Sequence, residues 1–283
     1  MAVATSPVNG FSVDVEDWYQ VADFDAVVAF SDWDRYESRV ARNTDRILAL
    51  LDEAGVTGTF FILTWNAERH PDVVRRIAAA GHEIASHGYA HRLIYEQTPE
   101  TFRADISRAK ATLEDIVGTP VLGYRAPSLS LTGRSLWALD VLLECGFRYD
   151  SSVFPIRDAL YGLPTAERFP HVIHRENGRE LVEFPITTTR LLGRNLPLGG
   201  GGWLRVFPYA YMRWGMRRVN REGQPAVVFI HPWEVDPEQP RMRTAGRRGF
   251  STHYVGLGGT QTKIRRLFRD FRFGPMRDVL GLG

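Results

Sequence analysis

The sequence predicts an α/β fold in which the strands of a parallel sheet are joined by helical crossovers. Strand-like and helix-like segments alternate at least four times along the 283 residues. Most of the helix-like segments carry a start or stop signal where one belongs. Acidic and histidine residues recur where strands end, and a barrel of parallel strands gathers such ends on one face.

The first strand is "GFSVDVEDW", where Phe11, Val13 and Val15 alternate with Ser12, Asp14 and Glu16. Residues 43–55 read as a helix capped by Asn43 or Thr44 and stopped by Gly55. "VTGTFFIL" is rich in β-branched and aromatic residues and reads as the second strand. Pro71 opens and Gly81 closes the next helix, which leads into the strand "HEIASH". Residues 99–118 form a third helix and "PVLGYRAP" a fourth strand. Residues 132–146 read as a fourth helix, followed by the short strand "FRYDSSV". "RELVEFPI" and "PAVVFIHPWEV" add two more strands. Between them, a loop at Gly199 to Gly202 runs into a helix-like stretch; it reads either as a close approach to a ligand or as a lid.

Composition is that of an ordinary globular protein, with 44% hydrophobic and 24% charged residues. The single Cys145 rules out a disulfide within the chain and reads as a buried thiol. The first residues lack the basic and apolar regions of a signal peptide, and no apolar run approaches a membrane span. The expectation is a cytoplasmic protein. From Pro237 onward ten Arg and Lys face three Asp and Glu, a local +7 against +2 overall. Prolines 232, 237 and 240 mark a break there, so the expected division is a domain over 1–236 and a basic extension over 237–283. Ile264, Leu267, Phe268 and Phe271 share one helical face in that extension. A helix docked on the domain is the plain reading; contact with a membrane surface is the other. The basic charge alone does not make a nucleic-acid binder, because no recognised motif accompanies it.

The chemistry concentrates at "SHGYAH". His87 and His91 stand four apart, a spacing that lets two imidazoles hold one metal ion. A third ligand is needed, and the end of the first strand offers Asp14, Glu16 and Asp17. Three carboxylates so close repel one another unless a cation or a shared proton relieves them. Arg125, Asp150 and His231 end later strands, and His231 is placed to act as a general acid.

In this order the residues resemble the polysaccharide deacetylases of the NodB-homology type, carbohydrate esterase family 4. "FSVDVED", "SHGYAH", "RAP", "DSSVFP" and "FIHPW" are similar to the motifs of that family, over residues 11–236. "DVEDW", "HPWEVDP" and "HYVGLGG" look like the subgroup encoded with bacterial exopolysaccharide and exosortase loci. The resemblance implies a deformed (β/α) barrel of about seven units. It implies a divalent metal, Zn2+ above others, and removal of acetyl groups from N-acetylated glycans. Asp14 would be the base and His231 the acid. Arg125 would orient the base, with Asp150 and Pro127 shaping the neighbourhood of His231 and the pocket. His87 and His91 would be metal ligands, with Glu16 or Asp17 as the carboxylate ligand, because the adjacent pair of aspartates usual in the family is replaced here by Asp14-Val15-Glu16-Asp17. Tyr89 and Trp233 are candidate sugar contacts, as are Trp18, Tyr19, Trp65 and Trp203. Two other readings stand beside this one. One is a hydrolase of cyclic amides or ureides on the same scaffold; the other is a non-catalytic carbohydrate binder. Oligomeric state is not legible in the sequence.

Overall fold

The computed structural model describes residues 6–158, 160–242 and 252–283. Strand β1 (Asn9–Val15) is followed by α1 (Val40–Ala54), β2 (Thr59–Ile62), α2 (Thr64–Arg69), α3 (Pro71–Ala79) and β3 (Glu83–Ser86). Then come α4 (Pro99–Val117), β4 (Gly123–Tyr124), α5 (Ala138–Glu144) and β5 (Tyr149–Asp150). Two hairpins follow: β6 (His171–Glu176) with β7 (Arg179–Glu183), and β8 (Thr188–Leu191) with β9 (Arg194–Pro197). Beyond them lie α6 (Gly201–Val206), α7 (Tyr209–Arg221), β10 (Val227–Ile230), α8 (Thr260–Asp270), β11 (Phe273–Gly274) and α9 (Met276–Val279). Arg243, Arg247 and Arg248 of the basic extension lie outside the described residues, as do residues 1–5 of the leader reading.

The strand order is β10-β1-β2-β3-β4-β5-β7-β6, and every neighbouring pair is parallel except β6 with β7. Between β7 and β10 an irregular segment stands in for strand pairing. The Val227 amide donates to Thr187 Oγ1 and the Phe229 amide to the Gly199 carbonyl at 2.9 Å. Seven parallel strands and this seam make a deformed (β/α) barrel.

All seven residues of β1 are buried. The alternation in the sequence suggested one buried face, but the barrel buries both. Phe11, Val13 and Val15 pack outward against α1 and α8 with Ile47, Leu50 and Ile264. Ser12 and Asp14 face the filled interior, where the buried Arg125 meets them. Helix α1 begins at Val40, ahead of the expected Asn43 or Thr44. The reason is a carboxylate far away in sequence: Asp17 Oδ2 accepts the amides of Arg39 at 2.8 Å and Val40 at 3.1 Å. That supplies the cap from outside the helix, and Asn43 bonds Asp236 instead. The stretch 132–146 is helical only over Ala138–Glu144, and Pro208 splits the helix-like run after residue 200 in two. Cys145 caps α5 and is half-buried, not fully buried as expected.

Helix α8 turns its apolar face inward. Ile264 and Leu267 are buried, and the Phe268 ring meets Phe11 edge-on with centroids 4.9 Å apart. The Lys263 ammonium donates to the carbonyls of Leu204, Arg205 and Phe207 at 2.8–2.9 Å, closing the end of α6. β11 pairs with β1. The apolar face of this helix is therefore spent on the barrel and is not presented to a membrane. No helix among the described residues is long and apolar enough to cross a membrane. Truncating a buried leucine leaves a cavity. Leu267→Ala is expected to lower stability by about 2–5 kcal/mol, seen as a lower urea midpoint with an unchanged slope. A separate low-denaturant transition would show that α8 unfolds apart from the barrel.

Candidate active site

One end of the barrel gathers Asp14 from β1, Glu16 just after it, His87 and His91 after β3, Arg125 after β4 and His231 after β10. Arg125 is fully buried and organises the group. Its Nη1 donates to Asp14 Oδ1 at 2.6 Å and to Ser12 Oγ at 2.9 Å. Its Nε and Nη2 donate to the carbonyl and hydroxyl of Ser151, both at 2.9 Å. Its backbone carbonyl accepts from His87 Nδ1 at 2.8 Å. That bond sets the tautomer and leaves Nε2 of His87 as the free ligand atom.

Glu16, His87 and His91 each offer one ligand atom, and the three lie within 4.8 Å of one another. Burial pulls both imidazoles down to a pKa of about 4, so each is neutral at pH 7 and ready to ligate. Glu16 Oε2 is buried without a hydrogen-bond partner, although the His91 Nε2 lies 3.3 Å away. An orphaned buried carboxylate oxygen beside two neutral histidines fits a divalent cation, and an oxygen and nitrogen donor set of three leaves a position open. Asp17, the other candidate ligand, is not part of this cluster. Its Oδ1 accepts the Trp18 amide at 2.9 Å and its Oδ2 the start of α1, so both oxygens are occupied.

His231 stands on the other side of Glu16, with Nε2 3.1 Å from Glu16 Oε1. Its Nδ1 lies 3.1 Å from Glu234 Oε2, which also accepts the His231 amide at 2.9 Å. Burial opposes charging of this ring, but Glu16 and Glu234 together hold its pKa up to about 10. Glu234 is itself pushed down to about 2; burial works against this, and Arg205 and His231 overcome it. Arg205 Nε bonds Glu234, and its Nη1 reaches the carbonyls of Thr252, His253 and Val255 at 2.6–3.0 Å. Sequence reasoning passed over Glu234 and Arg205. Glu234 had a local signal, since it sits three residues after His231 and the two form a reciprocal cap on the turn Pro232–Val235; Arg205 had none.

The cleft over these residues holds about 620 Å³. Trp203, Tyr161, Phe154 and Phe229 line it, together with Gly200, Gly201 and Gly202. The glycines are set by packing: a side chain at Gly201 would run into the Glu234 carboxylate, and one at Gly200 would meet Phe229 and Trp203. Trp233 reaches the cleft, but its faces are taken, stacked on His231 at 5.0 Å and on His253 at 3.9 Å. It is a wedge for His231 and offers no free platform to a sugar. Tyr89 points elsewhere, with its hydroxyl on Glu68 and the Arg108 guanidinium over its ring. Trp18, Tyr19 and Trp65 belong to a buried aromatic cluster. Pro127 is buried beside the cleft, and its neighbours Ala126 and Ser128 supply the lining. Asp150 does not border the cleft. It accepts from Ser152 Oγ at 2.6 Å beneath Arg125, and burial together with Asp150 drives the adjoining Glu183 carboxyl well above its usual range. Two buried carboxyls side by side disfavour ionising together.

These features define a barrel hydrolase-type site with a carboxylate, a metal-ligand cluster and a charged imidazole. Residues 24–149 match the family model described as polysaccharide deacetylase, and residues 151–281 match one described as a domain of unknown function (DUF3473). The first match makes residues 24–149 similar to the polysaccharide deacetylase domain of the NodB type, carbohydrate esterase family 4. The peptidoglycan-N-acetylglucosamine deacetylase of Bacillus cereus is 33% identical over 98 residues, covering 34% of this chain and 36% of that protein. The chitooligosaccharide deacetylase of Rhizobium leguminosarum bv. trifolii is 40% identical over 74 residues, covering 26% and 33%. The match thus spans about a third of the length of either relative. A Mycobacterium smegmatis protein provisionally assigned as a polysaccharide deacetylase shares the fold, with a TM-score of 0.65 at 22% identity over 99% of this chain and 91% of that one. The Puue allantoinase does so with a TM-score of 0.66 at 16% identity, over 100% and 91%.

Asp17→Ala should cost about 0.5–2 kcal/mol of stability through the lost cap and leave divalent-metal binding, read by elemental analysis, unchanged. Glu16→Ala should lose the metal. In the metal-free protein the His231 ring should stay protonated at pH 8 and titrate at about 10 by NMR, and Glu234→Gln should lower that value. Because the folded pKa exceeds the unfolded one, the stability this group contributes is full below about pH 6.5 and fades as the pH rises towards 10.

Proposed function

We propose that the chain is a metal-dependent hydrolase that removes N-acetyl groups from an N-acetylhexosamine-containing polysaccharide or its precursor. The observation that carries this reading is the convergence of a guanidinium-held Asp14, the Glu16–His87–His91 cluster and the charged His231 around one cleft. Glu16, His87 and His91 would hold the ion, zinc by donor type, which when bound would polarise the amide carbonyl and acidify a water molecule.

The residues of the chain do the rest. Arg125 orients the Asp14 carboxylate, which takes the proton from the attacking water. His231, whose pKa Glu16 and Glu234 raise against the effect of burial, is placed to deliver a proton to the departing sugar amine. Glu234 fixes the ring of His231 through Nδ1, which turns Nε2 towards Glu16 and the cluster, where the transfer would be made. Trp203 and Tyr161 line the cleft and offer apolar faces to sugar rings. The motifs that resemble the exopolysaccharide subgroup favour an exopolysaccharide or its precursor as the substrate.

The test is acetate release from N-acetylglucosamine oligomers and acetylated exopolysaccharide, with chelator and with zinc restored. Activity should depend on the restored metal. Asp14→Asn and His231→Gln should each lower it by roughly 10²–10⁴-fold while leaving zinc content intact. Ring opening of a small cyclic ureide, with no acetate released from any glycan by the zinc-loaded protein, would overturn the proposal.

A further inference from the structure

The chain makes the same tight turn twice, with different residues. Between β6 and β7 the turn residues Asn177 and Gly178 have φ of 49° and 75°. Between β8 and β9 Leu192 and Gly193 have φ of 49° and 78°. Two successive positive φ angles in a two-residue hairpin loop mark a type I′ turn, for which Asn-Gly is the favoured pair. Leucine is disfavoured there, because its Cβ crowds the following carbonyl and it has no local polar group to compensate. Packing does not repay the misfit: Leu192 is 95% exposed, and Leu191 before it is 43% exposed. The fold has no use for a leucine at this position, and the neighbouring hairpin uses the better residue.

The flanking residues indicate what the leucine is for. Arg190 and Arg194 are exposed on either side, so the tip reads Arg-Leu-Leu-Gly-Arg, an apolar wedge collared by cations. The root of the hairpin is firmly seated, with Thr188, Thr189 and Leu198 buried. It also stands next to the cleft. Asn195 Nδ2 donates to the Pro155 carbonyl at 2.8 Å, and the segment after Pro155 lines the cleft through Leu160, 64% exposed, and Tyr161. β9 then runs directly into the cleft-lining Gly200–Gly202.

We propose that the tip of the β8–β9 hairpin docks on an anionic lipid bilayer, with Leu191 and Leu192 in the interfacial layer and Arg190 and Arg194 at the head groups. Charge selects this occupant. A second copy meeting the tip across a two-fold axis would bring like arginines together, whereas an anionic head-group layer accepts both. Two leucines and two arginines make a weak, reversible anchor, one that sets the cleft beside the surface without trapping the protein there. Lipid binding is read without turnover, so its failure and that of the deacetylase reading are separate results.

The experiment is co-sedimentation of the full chain with vesicles of phosphatidylcholine alone and of phosphatidylcholine rich in phosphatidylglycerol. The protein should partition onto the anionic vesicles and be released by high salt. Leu192→Asn restores the favoured turn pair, so the variant should melt no lower than the parent while its partitioning drops about ten-fold. Arg190→Gln and Arg194→Gln should each weaken binding about five-fold. No binding of the parent protein to anionic vesicles would overturn the proposal. So would binding that Leu192→Asn leaves unchanged, or leucine-dependent dimerisation without vesicle binding.

Discussion

A guanidinium sealed inside a barrel dictates much of the site. Arg125 cannot shed its charge, so the interior must supply acceptors for every donor it carries. Asp14, Ser12, the carbonyl and hydroxyl of Ser151 and the Met276 sulfur do this, and the rings of Phe61 and Phe229 lie 4.2 and 5.0 Å from the guanidinium carbon. The same residue holds His87 through its backbone carbonyl. One buried cation therefore aligns a carboxylate from β1 and an imidazole from the loop after β3. Removing either partner of such a pair costs about 3–5 kcal/mol, because the other charge is left buried. Below it, burial and Asp150 drive the Glu183 carboxyl well above its usual range, which disfavours a second uncompensated charge.

The histidines divide by their surroundings. His87 and His91 are buried and kept neutral, as a metal ligand must be. His231 stands between two carboxylates, which raise its pKa against the effect of burial. The backbone around them is unusual as well: His91, Ser128 and Leu129 all have positive φ, near 50°. Such residues persist only where the surroundings over-determine them. Here the two loops are tied together, since Ser130 Oγ accepts the Ile94 amide at 3.0 Å.

The environment of His231 depends on chain that lies well beyond the barrel motifs. Glu234 is held by Arg205, and Arg205 spends its remaining donors on carbonyls at residues 252, 253 and 255. His253 then stacks on Trp233, which stacks on His231. With α8 packed on β1 and β11 paired to it, the late part of the chain is structural support for both barrel and site.

The alternating strands and helices were legible because their periodicity is local. The gathering of Asp14, Glu16, His87, His91, Arg125 and His231 was legible because all of them end parallel strands or follow them closely. The hairpins β6–β7 and β8–β9 were not fully legible, because half-exposed strands lack the apolar alternation that marks a strand buried on one face. The choice between Glu16 and Asp17 could not be made from residue type or spacing. In the structure the amides at the start of α1, more than twenty residues on, claim Asp17, and Glu16 is the carboxylate that lies with the histidines. Arg205 likewise gains its role from a carboxylate 29 positions away in sequence. Sequence by itself determined which side chains the strands deliver to one end of the barrel. Only the tertiary structure decided which of them stay free to act, because that depends on hydrogen-bond donors supplied by distant segments.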